Sequence, residues 1–82
     1  MQIKPLSHKL TSYLAKRGLT SKFNKQLTLF KNSPNHPSLN TEKLSPKLAG
    51  LYSFRVDRKY RAIFHFLPSG EAQIVDINDH YK

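Results

Sequence analysis

The chain has no cysteine, no long apolar run, and no acidic residue in its first half. Without cysteine there is no disulfide framework, and a reducing setting is the natural reading. The four histidines, His8, His36, His65 and His80, do not fall at a metal-ligand spacing, so no metal or other cofactor is expected. The N-terminal MQIKPLSHKL lacks the apolar stretch of a signal peptide, and no window approaches the roughly 20 apolar residues of a membrane span. The expectation is a soluble, cytoplasmic protein.

What is present is positive charge, unevenly placed. Lys and Arg number 14 against five Asp and Glu, a formal net charge of +9. Met1 to Thr41 carries seven Lys or Arg and no acid, and all five acids lie from Glu42 onward. Such a surface suits a polyanionic partner, with nucleic acid and acidic protein as the main candidates. At 82 residues the chain reads as one domain, and a chain this size buries only about 60–65% of its unfolded surface.

Local patterning gives an α+β order. Met1 to Leu6 fits a short first strand, confined to an edge by Pro5. Ser7 is placed to cap a helix whose apolar stripe is Leu10, Tyr13 and Leu14 and whose stop is Gly18. Thr20 or Ser21 can cap a second helix, with Phe23, Leu27 and Phe30 on one face and Ser33-Pro34 at its end. Together they read as a helical hairpin. Asn32 to Pro46, with three prolines, reads as a loop with little regular structure.

Leu51 to Val56, Tyr60 to Leu67 and Ala72 to Ile77 are β-branched and aromatic, and short turns join them into an antiparallel meander. A three-residue turn at Asp57-Arg58-Lys59 puts Tyr52, Phe54, Val56, Tyr60, Ala62, Phe64 and Phe66 on one face, against the helices. Ser53, Arg55, Arg61, Ile63 and His65 then share the other face, expected to be open and basic. A two-residue Ser69-Gly70 turn adds Val75 and Ile77 to the core side and leaves Asp76, Asn78 and His80 opposite.

These residue types suit RNA cleavage, which needs no metal because the ribose supplies its own nucleophile. A base takes the proton of the 2′-hydroxyl, cationic donors hold the charge developing on phosphoryl oxygen, and an acid protonates the leaving 5′-oxygen. Arg61 suits the phosphate, since its planar fork donates twice and stays charged. His80 suits proton transfer, because a histidine titrates near neutrality. Tyr81 can stack on a base, and Glu42 is the only carboxylate in the loop before the sheet. Taken singly, each also fits a bland role: a solvated strand arginine, a frayed His-Tyr end, a glutamate balancing nearby lysines.

Three runs in combination go further: HPSLNTEKL from His36 to Leu44, LAGLYSFRVDRKYRAIF from Leu48 to Phe64, and the closing DHYK. The chain resembles the RelE/ParE superfamily of type II toxin–antitoxin toxins, most closely the YoeB-like and RelE-like messenger RNA endoribonucleases that act at the ribosome. The resemblance implies a short N-terminal strand, a helical hairpin and a three-strand meander forming one sheet with helices on one face. It implies Glu42 as general base, Arg61 as phosphate clamp, His80 as general acid and Tyr81 as an orienting group. Lys43, Arg55, Arg58 and Lys59 become phosphate or RNA contacts. The implied partners are a cognate antitoxin, the ribosome and its message, and a second copy of the toxin. Lys82 runs past the family's usual end, and the spacing from Arg61 to His80 differs from the pattern by one residue. The superfamily also holds gyrase inhibitors of the ParE type, and a non-catalytic RNA-binding regulator would share the basic surface.

Overall fold

The computed structural model describes residues 1–44 and 50–80. Its first helix, α1 (His8–Lys16), starts where Ser7 accepts the backbone N–H of Leu10 at 3.2 Å. It ends in a Schellman turn. Gly18, at φ 66°, donates to Ala15 O and Leu19 donates to Leu14 O, a backbone path that glycine follows without a Cβ clash. The buried Leu19 then leads directly into α2 (Thr20–Asn32), which has no side-chain cap at its start.

The sheet holds four strands in sequence order, all antiparallel: β1 (Glu42–Lys43), β2 (Tyr52–Arg55), β3 (Arg61–Phe66) and β4 (Ala72–Asn78). Two features differ from the expected plan at its edges. The N-terminal segment contributes a single parallel bridge, Ile3 to Ala72, closed by Lys4 N–H to Ala72 O and Ala72 N–H to Gln2 O. Pro5 has no N–H with which to extend it. The segment read as a plain loop instead forms a 3₁₀ turn at Pro37–Leu39, capped by Nδ1 of His36, and then β1.

The core lies between α2 and the sheet. The Phe30 ring sits 4.8 Å from both Phe54 and Phe64, and Phe23, Phe30, Phe54 and Phe64 are all within 2% of full burial. Gln26, on the same helix face, is also buried. Its Nε2 donates to Ser38 O at 3.2 Å and Arg55 O at 2.9 Å, tying α2 to the 3₁₀ turn and to the end of β2.

The β2–β3 turn is the expected three residues. Asp57 Oδ1 accepts the N–H groups of Lys59 and Tyr60, and Val56 pairs with Tyr60. The β3–β4 loop is one residue longer than expected: Leu67 pairs with Glu71 around Pro68-Ser69-Gly70, with Gly70 at φ 91°. The longer loop shifts the register by one, and a β-bulge shifts it back. Phe64 faces Ile74 but Ile63 faces Asp76, so Val75 is the extra residue. Ile74 therefore enters the core, while Val75 is 43% exposed. Phe66, at the end of β3, is also exposed rather than buried, although its ring edge meets Tyr52 and Phe64.

The opposite face is not open, as expected, but partly sealed. Ser53, Arg61, Ile63 and Asn78 are buried; Arg61 lies across Ser53 and is tied to the chain at Asn40.

Candidate functional site

Arg61 opens β3, one of the two inner strands, between Arg55 on β2 and Asn78 on β4. Its side chain reaches diagonally to the neighbouring strand. Nε donates to Ser53 Oγ at 2.8 Å, and Nη2 donates to Ser53 O at 3.3 Å and to Asn40 O. Among the described residues Nη1 has no acceptor. A guanidinium has five N–H donors in one plane, so three are used to fix it and the two on Nη1 are left over among the described residues. Burial lowers the Arg61 pKa from its ordinary value; Glu42 raises it and Arg55 lowers it further. An arginine starts so high that it still carries its charge at neutral pH.

Glu42 enters the same site by register. It pairs with Ser53, which pairs with Ile63, so Glu42, Ser53 and Ile63 share a face with Arg55 and Arg61. Asn40 joins the two charged groups: its carbonyl holds Arg61, and its Nδ2 donates to Glu42 Oε1 at 3.3 Å. Asn40 can do both because it sits in the left-handed region, φ 44°, where asparagine is one of the few tolerated side chains. No ion pair joins Glu42 to Arg61 among the described residues, so the carboxylate is not consumed by the arginine.

Glu42, Arg61 and Asn40 line a cleft of about 320 Å³ whose remaining wall is Arg55, Asp57, Arg58 and Lys59. A phosphate placed there would meet the guanidinium of Arg61, the cations Arg55, Arg58 and Lys59, and the Glu42 carboxylate. Among the described residues no group of three or more His, Asp or Glu gathers as a metal centre.

The structure thus brings together Glu42, Arg61, Arg55, Arg58 and Lys59. It does not bring Lys43 or His80 to them. Lys43 follows Glu42 on a strand and so points to the other face, opposite Tyr52. His80 is exposed, its backbone N–H accepted by Asn78 Oδ1 at 3.0 Å, and it does not line the cleft. Its neighbour Asp79 faces Lys59 at 3.9 Å. Tyr81 lies outside the described residues. Sequence reading missed Ser53, Asn40 and Asp57. For Ser53 the signal was a small hydroxyl in an aromatic strand, within reach of Arg61 once the turn length is known.

A helical hairpin behind a four-strand antiparallel sheet is the α+β fold that this chain shares with the solved YoeB/ParE toxins. The chain is similar over 99% of its length to the whole of a YoeB/ParE toxin from Agrobacterium tumefaciens, with a TM-score of 0.74 and 20% identity. It is also similar to Staphylococcus aureus YoeB, solved as a YoeB–YefM complex (TM-score 0.63) and as a dimer (0.65). Each comparison shows 21% identity and covers 98% of this chain and 94% of the other. No protein-family model matches the sequence, and no curated protein matches it significantly.

Proposed function

We propose that this chain is the toxin of a type II toxin–antitoxin pair and a metal-independent endoribonuclease that cuts messenger RNA at the ribosome. The observation that carries this reading is the Arg61–Asn40–Glu42 arrangement: one buried, oriented cation and one carboxylate that is in no ion pair among the described residues, linked by a single residue, in a basic cleft. Glu42 takes the proton of the 2′-hydroxyl, which attacks the adjacent phosphorus. Nη1 of Arg61 holds the phosphoryl oxygens as their charge grows, and His80 protonates the departing 5′-oxygen. The products are a 2′,3′-cyclic phosphate and a 5′-hydroxyl.

His80 stands outside the cleft in the free chain, so this role requires the bound strand to bring the leaving oxygen to it. Tyr81 orients the substrate in the same reading, and Arg55, Arg58 and Lys59 contact the backbone. Lys43, facing away from the cleft, has the weakest case. The partners are an antitoxin, the ribosome and a second copy of the chain, in the cytoplasm. The fold shared with a toxin solved both with YefM and as a dimer supports the first and last of these partners.

The test is to induce the wild type and Arg61→Ala in cells while mapping transcript ends. Cleavage by the wild type and its loss in the variant are expected. Intact messages together with inhibition of supercoiling by purified protein would replace this reading with a gyrase inhibitor. Salt-sensitive RNA binding without cleavage would make the chain a regulator.

A further inference from the structure

A second groove, of about 510 Å³, runs between α2 and the β2–β3 turn. It shares Arg55, Asp57, Arg58 and Lys59 with the Arg61 cleft, so the two concavities form one basic surface around the turn. Its far wall is Lys22 and Lys25, spaced i, i+3 and therefore on one side of the helix. Both are exposed, and Lys25 has no acidic partner among the described residues.

The floor is fixed. Gln26 holds Ser38 O and Arg55 O, so the gap between helix and strand is set by buried hydrogen bonds. Among the described residues Asp57 is the one carboxylate that lines the groove, and its position has a structural cause: Oδ1 accepts the N–H groups of Lys59 and Tyr60 and closes the turn. Its Oδ2 meets Lys22 at 3.6 Å, in a pair whose lysine is 61% exposed. Such a pair is weak and screened by salt, so Lys22 can exchange it for a phosphate.

We propose that this groove is a second phosphate subsite, taking the backbone of the same RNA strand whose reacting phosphate lies at Arg61. The inference rests on the reading of the Arg61 cleft as an RNA site. Contacts of lysine and arginine with phosphates would be indifferent to base sequence and would set the strand's direction across the turn.

The experiment measures binding of a ten-nucleotide 2′-O-methyl RNA, which lacks the attacking hydroxyl and stays intact, as a function of salt. Lys22→Ala/Lys25→Ala is compared with Lys9→Ala/Lys16→Ala, which removes the same charge from α1. Because these lysines are exposed, both variants are expected to melt like the wild type. Each phosphate contact contributes about 0.7 to the slope of log K against log salt for single strands, so the groove variant should lower the slope by about 1.4. The α1 variant should leave it near the wild-type value. Equal slopes for the two variants overturn the subsite, as does a groove variant that weakens binding of poly-glutamate while leaving RNA unchanged. That second result would assign the groove to an acidic protein. A wild type that cuts messages but gives equal slopes refutes only the subsite, whereas one that neither binds nor cuts RNA refutes the reading of the Arg61 cleft as well.

Discussion

Arg61 and Ser53 sit on adjacent strands and are joined twice, Nε to Oγ at 2.8 Å and Nη2 to the backbone carbonyl at 3.3 Å. Both are buried, so water cannot replace either contact cheaply. Ser53→Ala removes the acceptor of Nε and leaves the guanidinium held only through Nη2, by the Ser53 and Asn40 carbonyls, so its orientation loosens. The expected result is a stability loss of roughly 1.5–3 kcal/mol in urea titration. Turnover should fall more than tenfold while RNA affinity changes little. Ser53→Thr, which keeps the hydroxyl, should recover part of the rate.

Gln26 makes a different use of a buried polar group. Gln26→Leu fills the space but leaves Ser38 O and Arg55 O each short of a donor. A loss of about 1–3 kcal/mol is expected, read as a lower urea midpoint at unchanged slope.

The bulge gives a sharp contrast between neighbours. Ile74→Ala, in the core, should cost about 2–5 kcal/mol, whereas Val75→Ala should stay within about 0.5 kcal/mol. If Val75 proved the costlier of the two, the register described for β4 would be wrong.

Asp57 provides the pH dependence. Burial raises its pKa, but the N–H groups of Tyr60 and Lys59 and the nearby Lys22 outweigh burial, and the carboxyl is held below its usual value. A depressed folded-state pKa stabilises the fold fully above the unfolded value, about 3.9, and that contribution is lost as pH falls through the folded value. Wild-type stability should therefore drop below about pH 4. Asp57→Asn, which keeps an acceptor for the turn but cannot ionise, should lose stability less steeply over that range. Asp57→Ala should cost roughly 1–2 kcal/mol at neutral pH, from the loss of the turn's hydrogen bonds.

Much of the fold could be read from local chemistry. Ser7 and Gly18 bound α1 because capping depends on a few neighbouring residues. The Asp57 turn was legible for the same reason, and with it the pairing of β2 with β3. The β4 bulge was not, because it compensates a loop one residue longer than Ser69-Gly70 alone suggests, and neither change leaves a mark on the alternation near Asp76 and Asn78. At the site, the charged residues Glu42 and Arg61 could be named from their chemistry. The groups that hold them, Ser53 and Asn40, could not. Their contribution comes from burial and from a left-handed backbone at residue 40, which exist only once the strands have paired. Extended alternation carried past Asn78 also pointed His80 to the site face, whereas β4 ends at Asn78 and the chain there bends.

The central claim, that Arg61 is anchored so that its free edge can hold a reacting phosphate, is tested most directly by single-turnover cleavage of ribosome-bound messenger RNA. Wild type should be compared with Arg61→Ala and Arg61→Lys. The expected result is 2′,3′-cyclic phosphate and 5′-hydroxyl ends from the wild type and a rate at least about 10²–10³-fold lower in both variants. Lysine should fail because it cannot hold Ser53 and the phosphate with one planar group. Cleavage by Arg61→Ala at the wild-type rate would contradict the account.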